Sequence, residues 1–381
     1  MNTSRKASAH LLLTAVMSIF ATAAADAASV RVASNGIDSN SCGPASKPCR
    51  SISRAIANAN TGDAILVGPG RYGDVNNDGD FLDAGDEAAD TSAGCIICIR
   101  KAVRISSTSG AAATIIDAAG TQISGLTNAV IIYADNTEFG GEYRGLTIAN
   151  STYYGLRVEY AANVKIVGNV SLNNLEVGFW ISPARGVVRA SYNIATGGGH
   201  GFLVFRDSSS SGFAEINRNT ATDNTQSGFF VVEPRGPRPT VNKLIENVSS
   251  KNSQGMLIDA EGTVIKRNIV SANAVGIVNA SRDTLIQDNT IVGNDSYSIA
   301  FFPDAGTGNR VAGNNLFGNG QKTCAFYNES GEFVQAKNNY WGAATGSGSY
   351  PSDVICNISG SVNAVPFATS AFDLGSPSTA Y

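Results

Sequence analysis

The stretch Asp74-Val75-Asn76-Asn77-Asp78-Gly79-Asp80 sets oxygen-bearing side chains at alternate positions, with a glycine where a sharp turn is needed. That is the opening of a loop for a hard cation, and Ca2+ is the expected ion. The twelfth position is Gly85, where a twelve-residue calcium loop would place a bidentate glutamate. Asp83, Asp86 and Glu87 are the nearby oxygens that would close the loop differently. The expected ligands are therefore Asp74, Asn76, Asp78, Asp80, Asp83, Asp86 and Glu87, with a structural role near the N-terminal end. A solvated acidic insertion is the competing reading.

A second set of charges recurs through the centre of the chain. Glu159, Arg206, Asp207, Glu233, Asp259, Asp283 and Asp304 each follow an apolar run, with Arg185, Arg235, Arg238 and Arg282 a little further on. Tyr154, Tyr160, Trp180, Phe205 and Tyr297 supply aromatic surface among them. Carboxylates, guanidinium groups and rings on one face are what a sugar chain needs, the rings for stacking and the charges for hydroxyl or uronate groups. Arg206, Asp207, Glu233, Arg235 and Asp259 are the expected catalytic set. Glu159, Tyr160, Arg185, His200 and Arg238 are the expected substrate contacts. A hydrolase of the inverting kind would need two carboxylates ~6.5–9.5 Å apart, for which Asp207, Glu233 and Asp259 are the candidates. Against this stands the plain reading that polar residues follow every strand of any sheet protein.

These residues are positioned by a repeat. A glycine leads an apolar run at Gly155, Gly178, Gly201, Gly228, Gly255 and Gly276, at spacings of 23, 23, 27, 27 and 21 residues. Asn-x4-Asn recurs at Asn169/Asn174, Asn219/Asn224, Asn247/Asn252, Asn268/Asn273, Asn289/Asn294 and Asn314/Asn319. Periods of this length with short apolar runs imply stacked β coils. Equivalent residues would then lie one strand spacing apart, ~4.8 Å, so that each asparagine bonds its neighbours above and below. Asparagine also tolerates left-handed turn geometry. A β-sandwich offers no reason for one fixed offset in six units.

The ends read differently. Arg5 and Lys6, the apolar run Leu11–Ala24 and Ala25-Asp26-Ala27 have the layout of a secretory signal peptide, so residues 1–27 are expected to be removed. No later stretch is apolar enough to span a bilayer. Ile52, Ala55, Ile56 and Ala59 recur at helical spacing behind Ser51 or Ser53, which suits one short helix covering the open end of a solenoid. Residues 28–367 form the expected single domain, and 368–381 a loose tail. Six cysteines in an exported chain read as disulfides. Cys42 with Cys49, Cys324 with Cys356 and Cys95 with Cys98 is the pairing preferred among about fifteen connectivities. The full chain has 27 basic and 31 acidic residues, a net charge of −4, and without residues 1–27 it has 25 and 30, a net of −5. With no basic tract, nucleic acid is not an expected partner.

The coils resemble those of the pectate-lyase-like superfamily of right-handed parallel β-helix proteins. Gly62-Asp63-Ala64-Ile65 and Gly68-Pro69-Gly70-Arg71-Tyr72 are similar to its entry segment, and Asn338-Asn339-Tyr340-Trp341-Gly342 with Asp353 and Cys356 to its terminal coil. The resemblance implies an all-β, single-stranded right-handed parallel β-helix (solenoid) of about ten coils with an N-terminal capping helix. It further implies a secreted or periplasmic monomer that meets an acidic polysaccharide, with a lyase the leading activity. A lyase of this superfamily uses an arginine or lysine base and a calcium or arginine clamp, which points to Arg206, Arg235 and Arg238. Its polygalacturonase-like members pair two aspartates with a Gly-His-Gly. Here Gly199-His200-Gly201 occurs without the aspartates, Pro183-Ala184-Arg185-Gly186 standing one coil earlier. The alternative function is a non-catalytic glycan- or surface-binding, or structural, extracellular solenoid.

Overall fold

The computed structural model describes residues 28–376 except 77, 79, 120–127, 235–240 and 321–323. Residues 1–27, expected as a signal segment, and the arginines 235 and 238 lie outside the described residues. Among the described residues thirty-four strands form three parallel sheets of 13, 10 and 11 strands, here called A, B and C. Each coil visits them in turn. Lys165–Val167 lies in A, Val170–Leu172 in B and Val177–Ser182 in C, after which Val187–Ser191 returns to A beside its predecessor.

The strands are short because each coil has to supply only one or two inward side chains per face. A three-residue strand such as Lys165–Val167 buries its central Ile166 and leaves its flanks exposed or half-buried. Strict register then stacks like on like. Phe179, Phe202 and Phe229 pair in sequence in sheet C, their rings stacked at 4.9 and 5.0 Å. Such columns fill the interior from Val30 to Trp341. Offset stacking adds to the burial energy of each ring.

The asparagines form two ladders. The first begins at Asn169, and from there Asn193, Asn219, Asn247, Asn268, Asn289, Asn314 and Asn339 each receive the backbone N–H and the side-chain amide of the rung before at Oδ1, at 2.8–3.1 Å. The second runs Asn224, Asn252, Asn273, Asn294, Asn319 and closes on Asp353. Asn193 and Asn339 are rungs that the Asn-x4-Asn pattern does not reveal, because Gly198 and not asparagine follows five residues after Asn193. The left-handed residue is not the asparagine itself, as expected from its tolerance, but the residue before it. Arg218, Glu246 and Arg267 have φ of 58°, 57° and 54°.

The helix Ile52–Asn58 buries Ile52, Ala55 and Ile56. Ser51 is its N-cap, accepting from Arg54 N–H at 3.2 Å. All three expected disulfides are formed: Cys42–Cys49, Cys95–Cys98 and Cys324–Cys356. Within the segment expected as a loose tail, the Phe372 backbone N–H donates to Asn315 Oδ1 at 2.8 Å and its carbonyl accepts from Asn315 Nδ2 at 3.0 Å. Among the described residues no helix is long and apolar enough to cross a membrane.

Candidate functional site

Sheet C differs from the other two on its outer side. In the strand Tyr154–Glu159, Leu156 and Val158 point into the core, so Arg157 and Glu159 point out, and Tyr154 at the strand's start packs outside that core. Register carries Arg157 onto Trp180, Leu203, Phe230 and Leu257 in successive coils. The result is a second apolar cluster outside the solenoid, made of Tyr154, Val177 and Leu203 with Trp180, Phe205, Phe230 and Val232 packed on it. Rings meet at 4.7 Å (Tyr154–Trp180) and 5.7 Å (Trp180–Phe205). The Arg157 guanidinium lies 5.8 Å from the Tyr154 ring centre and 5.4 Å from that of Trp180, and Glu159 holds it at 2.8 Å. A cation between ring faces is attracted by their quadrupoles. Arg157 is absent from the sequence-derived site, since its role depends on a ring 23 residues further on.

The outward row Phe205, Val232, Asp259 leads from this patch to a cleft at the corner between sheets C and A. The cleft, of about 380 Å3, is lined by Glu233, Asp259, Glu261, Ser281, Arg282, Asp304 and Gly306. Arg282 pairs with Glu261 at 2.9 Å.

Of the described residues in the expected catalytic set, Glu233 and Asp259 line this cleft and Arg206 and Asp207 do not. Arg206 is fully buried, with Nε on Glu233 Oε1 at 2.6 Å and Nη2 on Oε2, while Nη1 donates to the Gly212 carbonyl. Asn242 Nδ2 also donates to Glu233 Oε1. Arg206 thus has no face towards a substrate, and a clamp or base role for it is replaced by a buried bidentate ion pair that ties two corners together. Asp207 accepts from the hydroxyl and N–H groups of Ser209 and Ser210, and these bonds, the Ser209 hydroxyl first, hold its pKa below the usual value. It is a turn-closing residue. Asp259 alone of the described catalytic set lines the cleft by an outward sheet position.

The described contacts are scattered over both ends of the sheet C strands. Glu159 serves Arg157. Tyr160 is half-exposed at a left-handed corner. Arg185 pairs with Asp135. His200 begins a sheet C strand, its Nδ1 accepting the Ser227 N–H at 3.3 Å and its ring 5.3 Å from Phe230. Burial lowers its pKa, which favours the neutral imidazole.

Of the acidic loop, only part gathers its oxygens in one place. Carboxylate oxygens of Asp78, Asp80 and Asp83 lie within 4.8 Å of one another. Asn76 Nδ2 donates to Asp78 at 2.9 Å and to Asp83. That amide bond lowers the Asp83 pKa, but the charge of Asp78 and its other neighbours outweigh it and the net shift is upward. The remaining expected ligands have other work. Asp86 closes the loop by accepting from Val75 N–H at 2.8 Å and Asp83 N–H at 3.0 Å. Asp74 is buried and its carbonyl accepts from Arg71. Glu87 is buried and accepts from Ile52 N–H at 2.8 Å and Ser53 N–H at 2.7 Å, so it caps the helix. Burial pushes its pKa up despite those bonds.

Comparison with known proteins follows the fold. A family model described as "Right handed beta helix region" matches residues 97–243, and one described as "Periplasmic copper-binding protein (NosD)" matches residues 210–352. No curated protein matches the sequence. Among solved structures, the A-module of the Azotobacter vinelandii mannuronan C-5 epimerase AlgE6 is 15% identical, with 84% of this chain and 94% of that chain covered and a TM-score of 0.52. The AlgE4 A-module gives 15%, 82%, 89% and 0.50. At such identity the likeness concerns the fold. With its three parallel sheets and these matches, the chain is a right-handed parallel β-helix protein.

Proposed function

We propose that the protein works outside the cytoplasm and binds an acidic polysaccharide along the outer side of sheet C. The observation that carries this is the second apolar cluster outside the solenoid, with Arg157 set between Tyr154 and Trp180. Ring faces suit the apolar faces of sugars, and a guanidinium suits a uronate carboxylate. Six bridged cysteines fit an oxidising compartment. The test is calorimetric titration with pectate, alginate and glycosaminoglycans. Saturable binding that Trp180→Ala and Arg157→Ala weaken, with unchanged melting temperature, supports the reading. Full affinity in both variants sinks it.

Catalysis is the second reading, favoured by the cleft that the row Phe205–Val232–Asp259 enters. A lyase would raise absorbance in the unsaturated-uronate band, and Asp259→Ala would abolish the rise.

Ca2+ would be held by Asp78, Asp80, Asp83 and Asn76, whose hard oxygens and open placement fit it. There it would neutralise crowded carboxylates and stiffen the loop. Copper fits poorly. Among the described residues the imidazole of His200 stands alone, with Nδ1 engaged, and every cysteine is bridged.

A further inference from the structure

From the strand Lys165–Val167 onward, the corner between sheets A and B is two residues long in every coil, as in Gly168-Asn169 or Arg218-Asn219. Two earlier corners break this rule. Residues 108–113 separate the strands Arg104–Ser107 and Thr114–Asp117, and residues 141–146 separate Glu138–Gly140 and Thr147–Ala149. The ladder does not require these extra residues, and their placement brings an arginine over the outer side of sheet A.

That arginine is Arg144. Its backbone is pinned at both ends, with Ser107 N–H donating to its carbonyl at 2.8 Å and its own N–H donating to the Gly141 carbonyl at 2.9 Å. Its side chain lines a cleft of about 310 Å3 together with Ala64, Leu66, Arg104, Ser106 and Glu138, over Gly140 and Gly141. Gly140 has φ +88°, and a Cβ there would lie 2.0 Å from the Val167 carbonyl oxygen, so the floor stays bare. Two exposed arginines face a single acid. That acid, Glu138, also lies 3.8 Å from Lys165. Arg104 sits beside Glu138 across the sheet yet makes no ion pair among the described residues, and Arg144 Nε has only the Ser107 carbonyl at 3.4 Å. A local excess of guanidinium stands here on a chain whose net charge is −4.

We infer that this cleft is a second binding site, on a different sheet from the proposed glycan face, for an oxyanion carried on a larger group: a sulfate or phosphate monoester. Two guanidinium groups arriving from different coils suit a tetrahedral anion with acceptors in several directions. The cleft leaves room beside the anion for the group that carries it.

The test is titration of the full chain with N-acetylglucosamine 6-sulfate and glucose 6-phosphate, beside inorganic sulfate, inorganic phosphate and glucose. The expected result is saturable binding of at least one ester, tighter than the matching inorganic anion, and no binding of glucose. Arg104→Ala and Arg144→Ala should each weaken it about tenfold, as loss of a charge-assisted bond predicts, with the melting temperature unchanged. Trp180→Ala should leave it intact, which separates this site from the sheet C reading. Absence of saturable binding, affinity unchanged in both arginine variants, or inorganic anions bound as tightly as the esters would each overturn the assignment.

Discussion

Asn319 donates both its backbone N–H, at 3.1 Å, and its side-chain amide, at 2.8 Å, to the carboxylate of Asp353. Every earlier rung of that ladder passes the same two bonds to an amide oxygen. At the last position an acid stands where the repeat calls for asparagine. Burial, the largest influence, raises its pKa from 3.8 to about 6, although the Asn319 bonds work in the opposite direction.

The folded state therefore prefers the protonated acid. Its stabilising contribution is full below about pH 4 and is lost as the pH rises through about 6. Asp353→Asn should raise stability at pH 7 by on the order of 3 kcal/mol, from the size of the shift. The gain over wild type should shrink as the pH falls from 7 towards 4. Thermal melts of both proteins across this range check it, and a gain that is constant with pH would refute the assignment.

Arg206 and Glu233 make a pair whose side chains are 0% and 1% exposed. Removing one partner strands a buried charge. Arg206→Ala or Glu233→Ala should cost about 3–5 kcal/mol. The double replacement Arg206→Met with Glu233→Leu should recover much of that, as measured by urea unfolding. A catalytic Arg206 would instead show lost turnover at undiminished stability.

Asn247 sits mid-ladder. Its Oδ1 accepts from Asn219 N–H at 2.9 Å, and its Nδ2 donates to the Ile216 carbonyl at 2.8 Å and to Asn268 Oδ1 at 3.0 Å. Asn247→Ala leaves several buried groups unmatched and should cost about 3 kcal/mol or more. Hydrogen exchange should show faster opening of the neighbouring coils, because each coil is stabilised through its neighbours.

Calcium and the helix cap can be separated. Chelation should lower the melting temperature of the wild type, and Asp78→Ala should erase the difference between calcium and chelator. Glu87→Gln should lower it in both conditions, corresponding to a stability loss of about 1 kcal/mol as for a lost helix cap, and leave the calcium response intact. A Glu87→Gln protein that no longer responds to calcium would return Glu87 to the ligand set.

The coils were legible because their signals are local and periodic. A glycine, an apolar run and an asparagine recur within one coil, and stacking turns that recurrence into a ladder. The same locality explains what was missed. Arg206 looks like a groove residue in sequence, since arginine is seldom fully buried without a partner, and its partner Glu233 is a whole coil away. Glu87 was read as a cation ligand because it follows an acidic loop, while the helix start it caps lies 35 residues earlier. Arg157 and Trp180 acquire meaning only from cross-coil register. Asn193 lacks the paired signal because Gly198 stands where the second asparagine would be.

Rungs of the first ladder are separated by 21 residues in the shortest coils and 28 in the longest. The five-residue offset to the second ladder is the same in both. Between residues 165 and 317 the coils differ at the corner between sheets C and A, which spans 260–263 in one coil and 206–212 in another. Loops emerging there are evenly spaced, like teeth on a comb, at about 4.8 Å per coil. Diversification can proceed on that edge alone, tooth by tooth, while the ladders keep the rest of the scaffold in step. For an engineer, it is the edge on which a foreign peptide could be grafted at a chosen height.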